Sequence, residues 1–188
     1  MTAFEFLLAL YSIVAGLGVS LLVRSVGQLI EARDRVRLYW VHTCWLLLIF
    51  VAHVVSWFGL WQFARHAPWT ILQVLLLLCV PILLYLISHL AVPELETERN
   101  HDMREYYYRH AHWSQSLLLA ALIISTVAQH HVLGDGGFSS RNDLMRAAVA
   151  VILVPGIIRR SASIHASQAV LLLMLVAGAV SYLTAPIG

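Results

Sequence analysis

The stretch from Trp69 to Val92, WTILQVLLLLCVPILLYLISHLAV, decides the fold class of this chain. It contains no Asp, Glu, Lys or Arg, and Pro93 follows it directly. A helix rises about 1.5 Å per residue, so about 20 apolar residues cross a hydrocarbon core of about 30 Å. Lipid offers the backbone no hydrogen-bond partner, and a spanning segment must therefore be helical. The stretch predicts a transmembrane helix.

The composition of the whole chain agrees with this prediction. Of 188 residues, 60% are hydrophobic and 12% are charged, whereas an ordinary soluble domain has about 45–50% and about 25%. The mean hydropathy is +0.79. These values exclude a soluble globular protein, a disordered chain and a nucleic-acid-binding module. They predict a single membrane domain that spends most of its length in the lipid bilayer.

Five further segments follow the same apolar pattern, and we expect an all-α bundle of about six transmembrane helices. The fifth segment is short or re-entrant, since Arg146 lies near its start and Pro155 near its end. The expected spans are Phe4–Val23, Trp40–Phe63, Trp69–Val92, Trp113–Gln129, Leu144–Ile158 and Ile164–Leu183.

The arginines orient this bundle. All twelve basic residues are Arg, and most of them lie in or beside the connections after the first, third and fifth spans. The opposite side has Arg65 and Arg141. Basic residues favour the cytoplasmic side, so we expect both termini outside and the arginine-rich loops inside a bacterial-type inner (plasma) membrane. Cys44 and Cys79 lie in apolar runs, where cysteine serves for packing.

Residues 94–112 form the sizeable segment that we expect outside the membrane, at its cytoplasmic face. The segment begins acidic and then carries three consecutive tyrosines, Tyr106–Tyr108. Tyrosine is enriched at the level of the lipid headgroups. The segment therefore predicts an interfacial helix that leads into the fourth span.

Small residues recur every four positions along the first span, at Ser12, Gly16 and Ser20. This spacing lets a neighbouring helix backbone approach closely. The stripe predicts a packing face, either within the bundle or against a second subunit. We expect a homo-oligomer or a subunit of a larger membrane complex.

Polar residues inside spans are costly, so each is a candidate for function. Counting about 1.5 Å per residue from each span's midpoint places His42, His89 and His165 at one level, about 12–13 Å toward the inner side. Ordinary hydrogen bonds to headgroups and carbonyls account for such histidines. The alternative is ligation of a b-type haem, with His42 and His89 as the facing pair, or of a metal by all three.

A third interpretation of these residues is proton handling, because histidine titrates near neutral pH. His53 lies near the midplane, eleven residues and about three turns from His42 on one helix face. A core histidine bonded to Ser56 or to a backbone carbonyl is the competing account of His53. The candidates for a polar path are Glu5, Arg24, His42, His53, Gln73, His89 and His165.

No motif of a known enzyme chemistry stands out, which argues against catalysis; an intramembrane protease or lipid-modifying enzyme, whose groups are scattered through the spans, stays an alternative. The sequence has no H-E-x-x-H, G-x-S-x-G, C-x-x-C or P-loop pattern. Three classes of function remain. The first is a permease or channel for protons, a small ion or a solute. The second is a redox subunit with haem or a metal, and the third is a structural or assembly subunit.

Overall fold

The computed structural model describes residues 2–66, 68–93, 101–134 and 141–183. Within them the chain forms six helices, and a single turn of 3-10 helix, Leu60–Phe63, extends the second. The helices are α1 (Ala3–Glu31), α2 (Trp40–Gly59), α3 (Ile71–Ala91), α4 (Met103–Leu133), α5 (Arg141–Ile158) and α6 (Ala162–Leu183).

Five of these helices are long and apolar enough to cross a membrane, namely α1, α2 with its 3-10 turn, α3, α4 and α6. The protein is thus an all-helical, multi-pass membrane protein. The helix α5 has 18 residues and is not among the five. It nevertheless runs antiparallel along α4, since the Ile157 carbonyl lies against His112 and Arg146 bonds Gln129.

Side chains at the helix starts explain where α1, α3 and α4 begin. Thr2 caps α1 and Thr70 caps α3, each in a reciprocal capping box. Asp102 caps α4 by accepting from two backbone N–H groups. These side chains satisfy donors that a helix start leaves without partners. At its far end, α4 stops at Gly134, which adopts a φ of 71° that suits glycine.

The helix α4 begins earlier than the expected fourth span. Residues 94–100 of the expected interfacial segment lie outside the described residues, whereas residues 103–112 form the first turns of α4. Met103, Tyr107 and Ala111 follow one face of these turns and are buried. Tyr107 therefore packs between helices, and the position of this segment at the membrane interface stays a prediction.

Two very short strands define one end of the bundle. Strand β1 (Val36–Arg37) pairs in parallel with β2 (His101–Asp102), so the α1–α2 connection lies beside the start of α4. The α5–α6 turn lies at this same end, which we call the strand end. The opposite end, which we call the N-terminal end, holds the start of α1 and the α2–α3 connection.

Buried apolar side chains form one cluster toward each end of the bundle. The cluster at the strand end includes Trp45, Leu84 and Ile87, and that at the N-terminal end includes Leu7 and Phe63. Many large apolar side chains remain exposed on the outer faces of the helices. An outer surface of this kind suits lipid, which is as apolar as leucine.

The small-residue stripe of α1 lies mostly outside the packed core. Gly16 and Ser20 are exposed, and nothing in the described chain lies within 4 Å of a Cβ placed on Gly16. Ser12 is half-buried and accepts a hydrogen bond of 2.8 Å from the Trp57 indole. The close approach within the bundle is at Gly18, where a Cβ would overlap the His53 ring.

Candidate functional site

A cavity of about 340 Å³ lies between α2, α3, α4, α5 and α6. Its walls are mostly apolar, and Tyr11 of α1 reaches it as well. Small-molecule sites in proteins typically have this character, with volumes from roughly 300 to 1,000 Å³ and a few polar groups among apolar walls. The apolar lining includes Leu48, Ile49, Ala52, Val80, Leu118 and Val149.

Small residues from three helices explain why space remains here. Protein interiors are close-packed, so a cavity requires side chains that do not fill the gap between their helices. Ala52 and Gly59 come from α2, Ala121 from α4 and Ala179 from α6, and all four line the cavity. The volume is thus a consequence of residue size at facing positions.

Polar groups border the cavity toward the N-terminal end. Gln62, Asn142 and Arg146 belong to its lining there. Farther inside, Tyr11 and Ser56 also line the cavity. The cavity therefore has charged and amide side chains at one end, which we call its mouth, and mostly apolar walls elsewhere.

Arg146 belongs to a buried charged group that we call the Arg146 cluster, made of Gln129, His130, Asp143 and Arg146. Arg146 Nη1 donates to Gln129 Oε1 at 2.7 Å and lies 3.6 Å from Asp143 Oδ1. Asp143 Oδ1 also lies 3.4 Å from His130 Nε2, and the Asp143 side chain is only 4% exposed. A buried carboxylate needs such partners, because an unpaired buried charge is strongly destabilising.

The guanidinium of Arg146 retains donors for a further acceptor. The two oxygens near Arg146, Gln129 Oε1 and Asp143 Oδ1, both lie closest to its Nη1. A guanidinium carries five N–H groups in a planar fork. Within the described chain, Nε and Nη2 have no hydrogen-bond acceptor, and the side chain lies on the cavity wall. The mouth of the cavity thus offers a planar pair of donor nitrogens.

A second polar group, which we call the Tyr107 network, joins α4 to α6 near the strand end. The Tyr107 hydroxyl lies 2.9 Å from His165 Nδ1. The Gln115 amide nitrogen lies 3.2 Å from the same ring nitrogen and donates to Gln168 Oε1 at 3.1 Å. These four side chains are buried.

The Tyr107 network also stabilises the end of α5. Pro155 has no N–H group to bond the carbonyl of Val151, four residues earlier, so α5 lacks one of its own hydrogen bonds there. Gln168 Nε2 donates to the carbonyls of Ile152 at 2.6 Å and Leu153 at 3.0 Å. Gly156 makes room for this arrangement, since a Cβ there would overlap both glutamine amides.

At the strand end, two histidines and a tyrosine hydrogen-bond to the last carbonyls of α3 and α5. His42 Nε2 lies 3.0 Å from the carbonyl of Ala91, the last residue of α3. The Tyr106 hydroxyl lies 3.1 Å from the Leu90 carbonyl and 2.8 Å from that of Val92. His112 does the same for α5, with Nδ1 3.1 Å from the Ile157 carbonyl. The last carbonyls of a helix have no partner in it, so these side chains supply one.

The structure does not bring the expected polar-path residues together. Glu5 and Gln73 act in the capping boxes of α1 and α3, and Glu5 is exposed. Arg24 and His89 are exposed as well. His53 is buried against Gly18, with Nδ1 2.9 Å from the Ile49 carbonyl. The described lining of the cavity contains none of the seven expected path residues.

The geometry also fails to supply a facing pair of histidines for haem. His42 is buried with its Nε2 engaged by Ala91, whereas His89 is exposed. His165 lies across Tyr107 from His42, because both rings contact the Tyr107 ring. Among the described residues, no group of three His, Cys, Asp or Glu side chains is arranged to hold a metal ion. The residues present do not fit either group.

The sequence-based candidates omitted the residues that the structure places in the polar clusters. Arg146 was expected only near the start of the short fifth span, and neither Asp143 nor Gln115 was among the candidates. The sequence does contain a signal for them. Charged residues beside a short apolar span, and amide side chains within a span, are costly in a membrane and need hydrogen-bond partners. The identity of those partners depends on which helices are neighbours, which a single sequence does not specify.

Comparison with family models, with curated proteins and with solved structures gives no match to this chain. The chemistry of the site therefore has to be inferred from its own side chains: an apolar cavity in a multi-pass membrane protein, with an arginine donor pair at its mouth.

Proposed function

We propose that this protein is a small permease-like membrane protein whose cavity binds an apolar or amphiphilic small molecule. The observation that carries the proposal is the cavity of about 340 Å³ between five helices, with apolar walls and polar groups at one end. A ligand in this cavity would contact α2, α4, α5 and α6 at once. Movement of those helices relative to one another would then admit and release it.

The apolar walls favour such a solute over protons or small ions. A conducting path needs polar groups or water along its length, because a bare charge inside a membrane is costly. The expected stations Glu5 and Gln73 serve as helix caps, and the ring of His53 packs against α1. We therefore propose that the solute binds inside the cavity, and not along the polar path that the sequence predicted.

Binding of an uncharged fluorescent probe tests this function. The purified full-length chain in lipid nanodiscs should bind 1-aminoanthracene in a saturable manner, with increased probe fluorescence. Ala52→Trp places a large ring on the cavity wall and should abolish saturable binding. The matched control is Ala147→Trp, since Ala147 is exposed on α5 and does not line the cavity. Equal binding by both variants would refute the proposal.

The proposal also includes the orientation of the protein in its membrane and its assembly with other subunits. We propose six spans with both termini outside and the strand end in the cytoplasm of a bacterial-type inner membrane, because the arginine-rich connections meet at the strand end. A homo-oligomer or a larger complex is supported by the exposed positions Gly16 and Ser20, which let a second helix approach α1 closely.

The haem alternative has a direct test. Purified protein from cells supplied with haem precursor should have no Soret band, since His42 and His89 do not face each other. A Soret band that His42→Leu removes would support a redox subunit instead.

A further inference from the structure

The unoccupied N–H donors of Arg146 indicate which polar headgroup a ligand of the cavity would carry. Nε and Nη2 of one guanidinium form two parallel N–H donors, and this spacing matches the two oxygens of a carboxylate. Both nitrogens are without an acceptor in the described chain, and the side chain lies on the cavity wall. A carboxylate at the mouth would complete the hydrogen bonding of Arg146.

The cavity volume specifies the rest of the molecule. About 340 Å³ lies at the small end of the range for ligand pockets. This volume accommodates one aliphatic chain of moderate length, not the two chains of a phospholipid. From the mouth, the walls continue inward along Met145, Val149 and Leu122, so a chain attached to the carboxylate would remain in an apolar environment.

The charges around Arg146 are compatible with a second carboxylate. Asp143 pairs with Arg146 at Nη1, with a distance of 3.6 Å. A ligand on the Nε–Nη2 edge would approach the other side of the guanidinium. His130 also contacts Asp143, at 3.4 Å, so the Asp143 carboxylate has a second neighbour besides Arg146.

We propose that the cavity binds a single-chain monocarboxylate of the fatty acid class, with its carboxylate on Nε and Nη2 of Arg146 and its chain along the apolar walls. This inference rests on the proposed function, because it assigns a chemical class to the same cavity.

The test compares two molecules with the same chain and different heads. Decanoate and decanol compete for bound 1-aminoanthracene on the wild-type protein in nanodiscs, each corrected for its measured partition into empty nanodiscs. We expect decanoate to displace the probe at a concentration about tenfold lower than decanol, because hydrogen bonds to a charged group are worth more than neutral ones.

Substitutions at Arg146 connect this preference to the guanidinium. Arg146→Lys keeps the positive charge and loses the planar fork, so the preference for decanoate should fall severalfold while decanol binds as before. Arg146→Gln should remove the preference. The control is Arg24→Gln, because Arg24 is exposed on α1 and outside the cavity lining; it should keep the wild-type preference.

The outcomes separate the two proposals. Saturable probe binding with equal displacement by decanoate and decanol would overturn the carboxylate inference and leave the cavity function standing. A wild-type preference that persists in Arg146→Lys would also overturn it, even where Arg146→Gln fails to fold because Asp143 loses its ion pair with Arg146. Absence of saturable probe binding on the folded wild-type protein would overturn the proposed function itself.

Discussion

At the residue scale, two glycines of α1 differ in what surrounds them, although they are only two positions apart. Gly16 was expected to pack because it belongs to a stripe with a four-residue spacing, and it is exposed. A helix has 3.6 residues per turn, so a strict four-residue stripe rotates about 40° further at each step. The buried positions of α1 instead alternate steps of three and four residues, and that line includes Ala15, Gly18 and Leu22.

Gly18→Ala should destabilise the protein, since the added methyl group overlaps the His53 ring. Overpacking of this kind costs about 1–3 kcal/mol. Gly16→Ala is the matched control and should be neutral or slightly stabilising, because its Cβ meets nothing within 4 Å. Reversible unfolding in mixed detergent micelles measures both. The combination of Gly18→Ala with His53→Ala should recover part of the loss; no recovery would place the clash elsewhere.

Tyr107→Phe should lower stability by about 0.6 kcal/mol, the average measured for hydrogen bonds between membrane helices, and by no more than about 1.7 kcal/mol, the largest value measured. The variant removes the hydroxyl that hydrogen-bonds to His165 Nδ1 and leaves the ring in place. Tyr85→Phe is the control, since Tyr85 is only partly buried and forms none of the described side-chain hydrogen bonds. A double-mutant cycle with His165→Leu assigns the loss. Additive effects would mean that the Tyr107–His165 bond contributes nothing.

At the element scale, α5 shows how a short helix with an internal proline is held in a bundle. Its N-terminal half is fixed to α4 through Arg146 and Gln129. Its C-terminal half is fixed to α6 through Gln168, which bonds two α5 carbonyls. Polar side chains thus position the helix at both ends. They do so because apolar packing alone gives little preference between a neighbouring helix and lipid.

Gly156→Ala should separate α5 from its neighbours, because the methyl group would occupy the space of the Gln115 and Gln168 amides. We expect a destabilisation of about 1–3 kcal/mol and faster backbone hydrogen exchange in residues 150–158. Gly27→Ala on α1 serves as the control, since nothing in the described chain lies within 4 Å of a Cβ placed there. Unchanged exchange in α5 with full folding would contradict this account of Gly156.

At the scale of the whole molecule, hydropathy predicted the class of fold far better than the site. The membrane class and the approximate bounds of α2 and α3 followed from long apolar runs. The contacts between helices could not be predicted in this way, because membrane helices are apolar on the faces toward lipid as well as toward the core. Depth along a helix can be counted from a sequence, as for His42 and His89. The direction in which a side chain points around the helix axis cannot be counted in this way. It is this direction that leaves His42 buried and His89 exposed.

Labelling of single cysteines in intact bacterial cells checks the proposed topology. In a background with Cys44 and Cys79 replaced by serine, Arg65→Cys should react with a membrane-impermeant maleimide. Ser163→Cys should react only after the cells are permeabilised, because α5 returns the chain to the strand end. Reaction of Ser163→Cys in intact cells would mean that α5 does not cross the membrane.

The caps at the end of α3 carry a consequence for how the chain is made. The carbonyl of Ala91 is bonded by His42 on α2, which leaves the ribosome earlier than α3. The carbonyls of Leu90 and Val92 are bonded by Tyr106 on α4, which emerges later. The end of α3 is thus completed from both directions along the chain, and a chain that stops between α3 and α4 lacks the side chain that bonds two of these three carbonyls.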